Sequence, residues 1–370
     1  FMLALTDGVF SFFGYFEACL TAIPGLPDIE VTQFYVLLAL VKAWKLPAEG
    51  RMFYTPVLIP VLVYLGFLIL QGYAVGISME LNMQLRSVRT ILPLALVFAL
   101  PRLMRTEEDY VAFFRYCFLI ALLAFATQVF ALTMRQSPTA FFGALEAGDN
   151  GLFMAGETYR GLYSVSALLI STFGALYFIA KQDSTFKPGY LYLILLANLG
   201  SAFLSATRGW VICFLMAIGL FFLFVAGFRT GQLIKLVATG ALLVFLATLS
   251  PFLNKQVTNS FNRMLTLESL VKGDMTADGT LVRVHKRSPI IMEKWRKSPL
   301  TGWGFSNYYY KHEDHHVGNQ NILFHSGLIG ALLLAVFFAY FCLKLWGASR
   351  LLEDENPFKA ALLVFPTFFV

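Results

Sequence analysis

The chain has 370 residues, of which 58% are hydrophobic, 16% aromatic and only 14% charged. Soluble domains carry about 25% charged residues, and the mean hydropathy here is +0.68, so the composition excludes an ordinary soluble domain and reads as an integral membrane protein. The formal net charge of +6 reads as Lys and Arg in membrane-flanking loops, and with no soluble domain to carry it a nucleic-acid partner is excluded.

A spanning helix needs about 20 apolar residues, fewer where a neighbour shields its end. Taken in order, the apolar runs predict spans near 8–25, 31–44, 53–74, 88–101, 110–133, 161–180, 189–205, 209–227, 233–250 and 319–345, with one more opening near 359. The chain begins at Phe1 and stops in an apolar run at Val370, so further helices are expected beyond both ends. No cleavable signal pattern is visible, and polytopic proteins do not need one. The expected fold class is an all-α, polytopic transmembrane helix bundle of about 11 or more spans, with one large external helical loop. Residues 1–250 hold transmembrane helices with short loops. Residues 251–318 form the external loop with amphipathic helices, and 319–370 the C-terminal helices. Cys19, Cys117, Cys213 and Cys342 each sit in an apolar run and read as small buried hydrophobes.

Loop charge orients the spans. Lys42, Lys45 and Arg51, then Arg102 and Arg105, Lys181 and Lys187, Arg229 and Lys235, and Lys344 and Arg350 all fall on one side, which is read as cytoplasmic. The opposite side holds 75–87, 134–160, a tight turn at 205–208, and 251–318. The last of these breaks the trend, because its Lys and Arg outnumber its Asp and Glu. Long loops cross a membrane regardless of charge, but an excess of cations outside calls for a local reason, such as an anionic ligand. No internal repeat of the kind common in secondary transporters is visible.

Several polar residues are candidates for chemistry. Arg208, between two apolar runs, is either a turn arginine snorkelling to headgroups or an anion anchor at the membrane surface. Arg160 stands at the start of another span. Arg283 and Arg287 are four apart and share a face if helical; two planar guanidinium forks suit a phosphate or diphosphate. Downstream, Ile291, Met292 and Trp295 form an apolar stripe opposite Lys294, Arg296 and Lys297, an amphipathic helix on the bundle or the membrane surface. Pro289 either kinks one helix or starts a second with Ser288 as its N-cap. His312, Glu313, Asp314, His315 and His316 form the densest titratable cluster. It reads as solvated loop residues, as a general base on His or carboxylate, or as a metal site using His312 with His315 or His316. His325, near the start of the last long apolar run, reads as a packed, hydrogen-bonded histidine.

Three fragments in fixed order resemble one family, the O-antigen ligase and Wzy-type polysaccharide polymerase superfamily. The segment Ser205-Ala206-Thr207-Arg208-Gly209 is similar to the family's Ser-x-Ser-Arg-Gly at a helix start. Arg283, a helix with a Trp, and Ser298-Pro299-Leu300-Thr301-Gly302-Trp303-Gly304 resemble its Arg, helix and Pro-Leu-x-Gly-x-Gly. The run from Asn321 through Gly327-Leu328-Ile329-Gly330 resembles the helix that follows its large external loop, and Tyr159-Arg160-Gly161-Leu162-Tyr163 its Arg-x-Gly-Phe segment. The likeness covers about 159–345. Ligases of the family carry His-Asn where this chain has His316-Val317, and His316-Val317-Gly318 is closer to the polymerase-like members.

The resemblance implies a GT-C-like glycosyltransferase in a bacterial inner membrane, multi-pass, with its active site facing the periplasm or outside. The implied donor is a glycan on undecaprenyl diphosphate. The acceptor is a second lipid-linked repeat unit for a polymerase, or lipid A-core for a ligase. A chain-length regulator protein is an implied partner, and no cofactor or metal is implied. Departure of a lipid diphosphate needs charge stabilisation, for which Arg208, Arg283, Arg160 and Arg287 are the expected ligands. The acceptor hydroxyl needs a base, for which His316, His315 or Glu313 are expected. A transporter or flippase for a lipid-linked substrate is the competing expectation.

Overall fold

A computed structural model of the chain describes residues 31–47, 52–74, 92–134, 154–155, 158–159, 165–182, 184–224, 251–271, 286–314 and 317–354, with isolated positions in 231–245 and 356–362. Eleven α-helices, besides a 3-10 turn at Leu92–Ala95, are defined among these residues. In chain order they are α1 (Val31–Trp44), α2 (Thr55–Ala74), α3 (Leu96–Leu103), α4 (Glu107–Met134), α5 (Val165–Lys181), α6 (Pro188–Leu204), α7 (Arg208–Phe224), α8 (Pro251–Val271), α9 (Ser288–Trp295), α10 (Asn307–His312) and α11 (Asn319–Ser349). The one sheet among the described residues is a two-strand antiparallel ladder of β1 (Met154–Ala155) and β2 (Thr158–Tyr159).

Three of these helices are long and apolar enough to cross a membrane, over Thr55–Gly72, Glu107–Met134 and Gln320–Ser349. Phe34–Trp44, Ala167–Lys181, Pro188–Leu204 and Gly209–Leu223 are shorter apolar helices. Helix boundaries follow the apolar runs closely, and the tight turn expected at 205–208 separates α6 from α7. The expected spans at 8–25 and beyond 359 lie outside or largely outside the described residues. The expected span at 233–250 falls on isolated described positions, and those at 31–44, 88–101, 161–180, 189–205 and 209–227 are helices shorter than a span, so about eleven spans are not found among the described residues. Among the described residues the protein is therefore helical, with three helices of spanning length and several shorter apolar helices as its framework.

Helices α4, α5, α6 and α7 pack into one unit. Its core is built from Phe118, Phe214 and Phe221, each 0% exposed, with Leu168, Leu176, Ile194 and Leu195. Small residues let the helices close. A Cβ on Gly174 of α5 would lie 2.3 Å from the Phe114 ring of α4, so only glycine admits that approach. Polar side chains bridge the same helices. Asn198 Nδ2 donates to Ser171 Oγ and Thr172 Oγ1, both at 2.8 Å, and those hydroxyls donate to the Leu168 carbonyl. Gln128 Nε2 donates to the Ser201 carbonyl at 3.1 Å. At one end of the unit, Lys181 pairs with Glu107 and Arg105 donates to the Pro47 carbonyl. Three of the basic loops named above thus meet there. At the other end, Leu132, Tyr159 and Leu204 form a separate buried cluster with Leu253 and Val257 of α8.

A second unit joins α2, α9 and α11. Helix α11 is broken at Gly327, which has φ 64° and ψ −170°. A break in an apolar helix strands carbonyls before it and amide hydrogens after it, and each must find a partner inside the protein. The segment 298–305 supplies them. Trp303 N donates to the Phe324 carbonyl at 3.0 Å and Gly304 N to the His325 carbonyl at 2.7 Å. Leu328 N donates to the Pro299 carbonyl at 2.9 Å and Ile329 N to the Leu300 carbonyl at 3.1 Å. The Tyr64 hydroxyl of α2 takes the Ser326 carbonyl at 2.7 Å. Gln71 of α2 donates to Thr301 Oγ1 and the Gly302 carbonyl at 3.0 and 3.1 Å. The fragments Pro299–Gly304 and Gly327–Gly330, noted separately in the sequence, are two halves of one interlock.

This interlock admits no side chain at its centre. A Cβ on Gly327 would lie 2.2 Å from the Leu300 carbonyl oxygen, and one on Gly302 (φ +66°) 2.4 Å from that of His325. Gly327→Ala and Gly302→Ala are each expected to destabilise the protein by about 3 kcal/mol or more, from left-handed strain plus overpacking against backbone. Gly66→Ala, in α2 with nothing within 4 Å of its Cβ, is expected to be neutral or to stabilise by up to about 1 kcal/mol. Thermal unfolding of the three variants in detergent checks the contrast.

Candidate functional site

The first candidate region is the end of the α4–α7 unit that carries the α6–α7 turn. Helix α6 ends at Leu204 because Ala206 turns into the left-handed region, at φ 50°. That conformation costs a non-glycine residue roughly 1–2 kcal/mol. Ser205 is 0% exposed; its hydroxyl donates to the Ala202 carbonyl at 2.6 Å and accepts from Thr207 N at 3.3 Å. The Thr207 carbonyl then accepts from Trp210 N and Val211 N, which starts α7 with Arg208 as its first residue.

The turn is tied to α8 by one side chain. Gln256, 2% exposed, donates through Nε2 to the Leu204 carbonyl at 2.7 Å and to the Tyr159 carbonyl at 2.9 Å. Its Oε1 accepts from Tyr159 N at 3.2 Å. Gln256 therefore pairs with Tyr159 as a neighbouring strand would, and satisfies the orphan carbonyl at the end of α6. Tyr159 immediately precedes Arg160 in the chain, and Leu204 lies four residues before Arg208. Gln256, Ser260 and Arg263 stand at i, i+4 and i+7 of α8 and so share a face. Ser260 is 2% exposed and the Arg263 Nε is buried.

The second region is the polar stretch 286–318. Helix α9 begins at Ser288 with Pro289 in its first turn. The cap position expected at Ser288 thus falls on Arg287, whose side chain makes no cap hydrogen bond. Of the expected apolar stripe, Ile291 is 2% exposed and Met292 and Trp295 are half-buried, as is Lys294, and α9 packs on α11. Arg287 Nη1 lies 3.2 Å from Asp314 Oδ1 and 3.3 Å from Oδ2. Both side chains are part-exposed, so the pair contributes below about 1 kcal/mol. The backbone of Asp314 is held by Asn321 of α11, whose Nδ2 donates to its carbonyl at 2.5 Å and whose Oδ1 accepts from its N–H at 3.3 Å.

Helix α10 starts on a Ser306 cap, whose side chain accepts from Tyr309 N. His312 Nδ1 lies 2.9 Å from the Tyr308 carbonyl. A carbonyl only accepts, so Nδ1 donates in this contact and the ring is held with Nε2 directed away from the Tyr308 carbonyl. The ring packs at a tilt against Tyr308, and Tyr308 against Trp303, with centroids 4.5 and 4.2 Å apart. His325 is packed between the rings of Phe305 and Tyr309, at 4.6 and 4.7 Å. The Tyr309 hydroxyl donates to Glu313, so the carboxylate named as a general base is already the acceptor of a phenol.

Of the expected site residues, Arg208 is found at the start of α7, Arg287 in its pair with Asp314, and Glu313 in its bond with Tyr309. Arg160, Arg283, His315 and His316 lie outside the described residues, as does the side chain of Arg208. No group of three or more His, Cys, Asp or Glu able to hold a metal occurs among the described residues. Sequence reading passed over Gln256 and Arg263, which look like any solvated residue in a polar run. The only local signal was their helical spacing with Ser260.

Burial, and then the nearby Glu313, push the Tyr309 phenol well above its ordinary 10.0. The native state therefore keeps a proton that the unfolded chain loses above about pH 10. Stability from this group is complete below pH 10 and is lost as pH rises further. Alkaline unfolding followed by circular dichroism is expected to be steeper above pH 10 in the parent protein than in Tyr309→Phe. Equal slopes would show that Tyr309 is not so held. No protein-family profile, curated protein or solved structure matches this chain.

Proposed function

We propose that the chain is a membrane glycosyltransferase of the Wzy type, joining oligosaccharide repeat units carried on undecaprenyl diphosphate. In this reaction an acceptor hydroxyl attacks the anomeric carbon of the donor glycan. The bond from that carbon to the diphosphate oxygen breaks, undecaprenyl diphosphate departs, and a base takes the hydroxyl proton. Arginines hold the departing diphosphate, since bidentate guanidinium groups stabilise charge as it develops. Arg208 and Arg283 carry this role in the proposal, with Arg160 and Arg287 as further candidate ligands. His316, His315 and Glu313 are the candidates for the base.

The observation that carries this reading is the Gln256 knot. One buried side chain fastens Tyr159, the residue before Arg160, and Leu204, at the entrance to Arg208, to the same point. Two segments that bear arginine and that are far apart in sequence are thereby served by one anchor. Support also comes from Arg287, held on the polar stretch beside Asp314 rather than buried in the core.

A broken helix is also a feature of secondary transporters, where freed backbone groups bind the cargo. At Gly327 those groups are taken by 298–305 and Tyr64, which favours the transferase over a transporter.

The test is to incubate the purified protein with an undecaprenyl-diphosphate repeat unit, with and without EDTA, and resolve products by size. Longer lipid-linked glycans are expected in both. Arg208→Ala and Arg283→Ala are each expected to reduce polymer by about 10²-fold or more while still inserting in the membrane. Normal polymer in both variants would overturn the mechanism. Single repeats left in mutant cells mark a polymerase; full-length lipid-linked polymer that never reaches lipid A marks a ligase. Flux across proteoliposomes with no new glycosidic bond would mark a transporter.

A further inference from the structure

We infer that Gln256 is a positioning residue, which sets the direction of the α6–α7 turn and through it the reach of Arg208 toward a diphosphate. The inference rests on the reading of Arg208 as a diphosphate ligand. Three observations carry it. Gln256 is buried, and both ends of its amide are used: Nε2 on Leu204 and Tyr159, Oε1 on Tyr159 N. Leu204 is the last residue of α6, so its carbonyl is one that no helical amide reaches, and the bond to it governs how the chain leaves the helix. The turn that follows holds Ala206 at φ 50°, a conformation that persists only where the surroundings over-determine it. Ser205, buried and bonded within the turn, is one such constraint, and Gln256 supplies another from outside it.

The consequence is a division of labour within the polar stretch. Helix α8 opens that stretch, yet it packs on α4, α6, α7 and β2 rather than lying apart from them. The first turns of α8 thus belong to the frame that aims the arginine, while the residues after 286 form a separate assembly on α2 and α11. Gln128 offers a matched comparison. It is 1% exposed and also donates from Nε2 to an α6 carbonyl, but to Ser201, one turn before the exit.

The experiment measures binding of undecaprenyl diphosphate and undecaprenyl monophosphate to the full chain in detergent, together with its thermal unfolding. The parent protein is expected to prefer the diphosphate. Misplacing a ligand by about 1 Å costs up to about 10²-fold. Gln256→Leu is therefore expected to cut the diphosphate-to-monophosphate preference by about tenfold or more. Gln128→Leu is expected to lower the melting temperature comparably and leave the preference unchanged. Gln256→Met, closer in shape and length, reads the same ratio if the leucine variant does not fold. An unchanged preference in either Gln256 variant would overturn the inference, as would an equal loss in Gln128→Leu. Should neither Gln256 variant fold, hydrogen exchange on the parent protein decides. Added diphosphate is expected to slow exchange at 204–210, and no slowing there would overturn the inference. A parent protein that binds both lipids equally would instead overturn the diphosphate reading on which it rests.

Discussion

In an apolar bundle, every backbone amide and carbonyl released from a helix must be taken up by the protein itself. The break at Gly327 shows what that demand imposes. Four backbone hydrogen bonds from 298–305 and one phenol from α2 fill the gap, and the filling fixes three things at once. It docks the end of the polar stretch, sets the angle between the two halves of α11, and binds α2 to both. Because glycine alone fits at 302 and 327, the Gly-x-Gly and Gly-x-x-Gly patterns follow from packing. They need no ligand to explain them.

The same demand operates at the other candidate region, with a side chain in place of a loop. Leu204 and Tyr159 expose polar backbone in a cluster otherwise lined by Leu132, Leu253 and Val257. Gln256 satisfies both residues with one amide. A carboxamide is the smallest group that carries both a donor pair and an acceptor, so no hydroxyl or carboxylate replaces it at neutral pH. The polar stretch is therefore in two parts. Its opening helix is built into the α4–α7 unit, and its closing segment into the α2–α11 unit.

These two docking points give the candidate chemistry its frame. Arg208 enters from a strained turn that is held on both sides. Glu313 and Asp314 are each committed to a partner, Tyr309 and Arg287, and His312 is oriented by the Tyr308 carbonyl. A histidine oriented by a backbone carbonyl beside two engaged carboxylates is a different electrostatic setting from three free titratable side chains. At 312–314, the described part of that cluster, each side chain already has a partner.

The membrane class, the helical fold and most helix boundaries were legible in the sequence, because an apolar run of spanning length is a local property. So was the turn at 205–208, where polar residues interrupt two such runs, and the burial of Ile291 in the stripe expected with Met292 and Trp295. The motifs at 298–304 and 327–330 were visible as patterns, but not as partners. Tyr64 and Ser326 are 262 positions apart, and Gln256 and Tyr159 are 97 apart. Hydrogen bonds across such distances leave no period in the chain, and a glutamine that closes one looks like a glutamine facing water. Only the folded arrangement decided which polar residues are structural fasteners, because only there do the unsatisfied backbone groups they serve come into being.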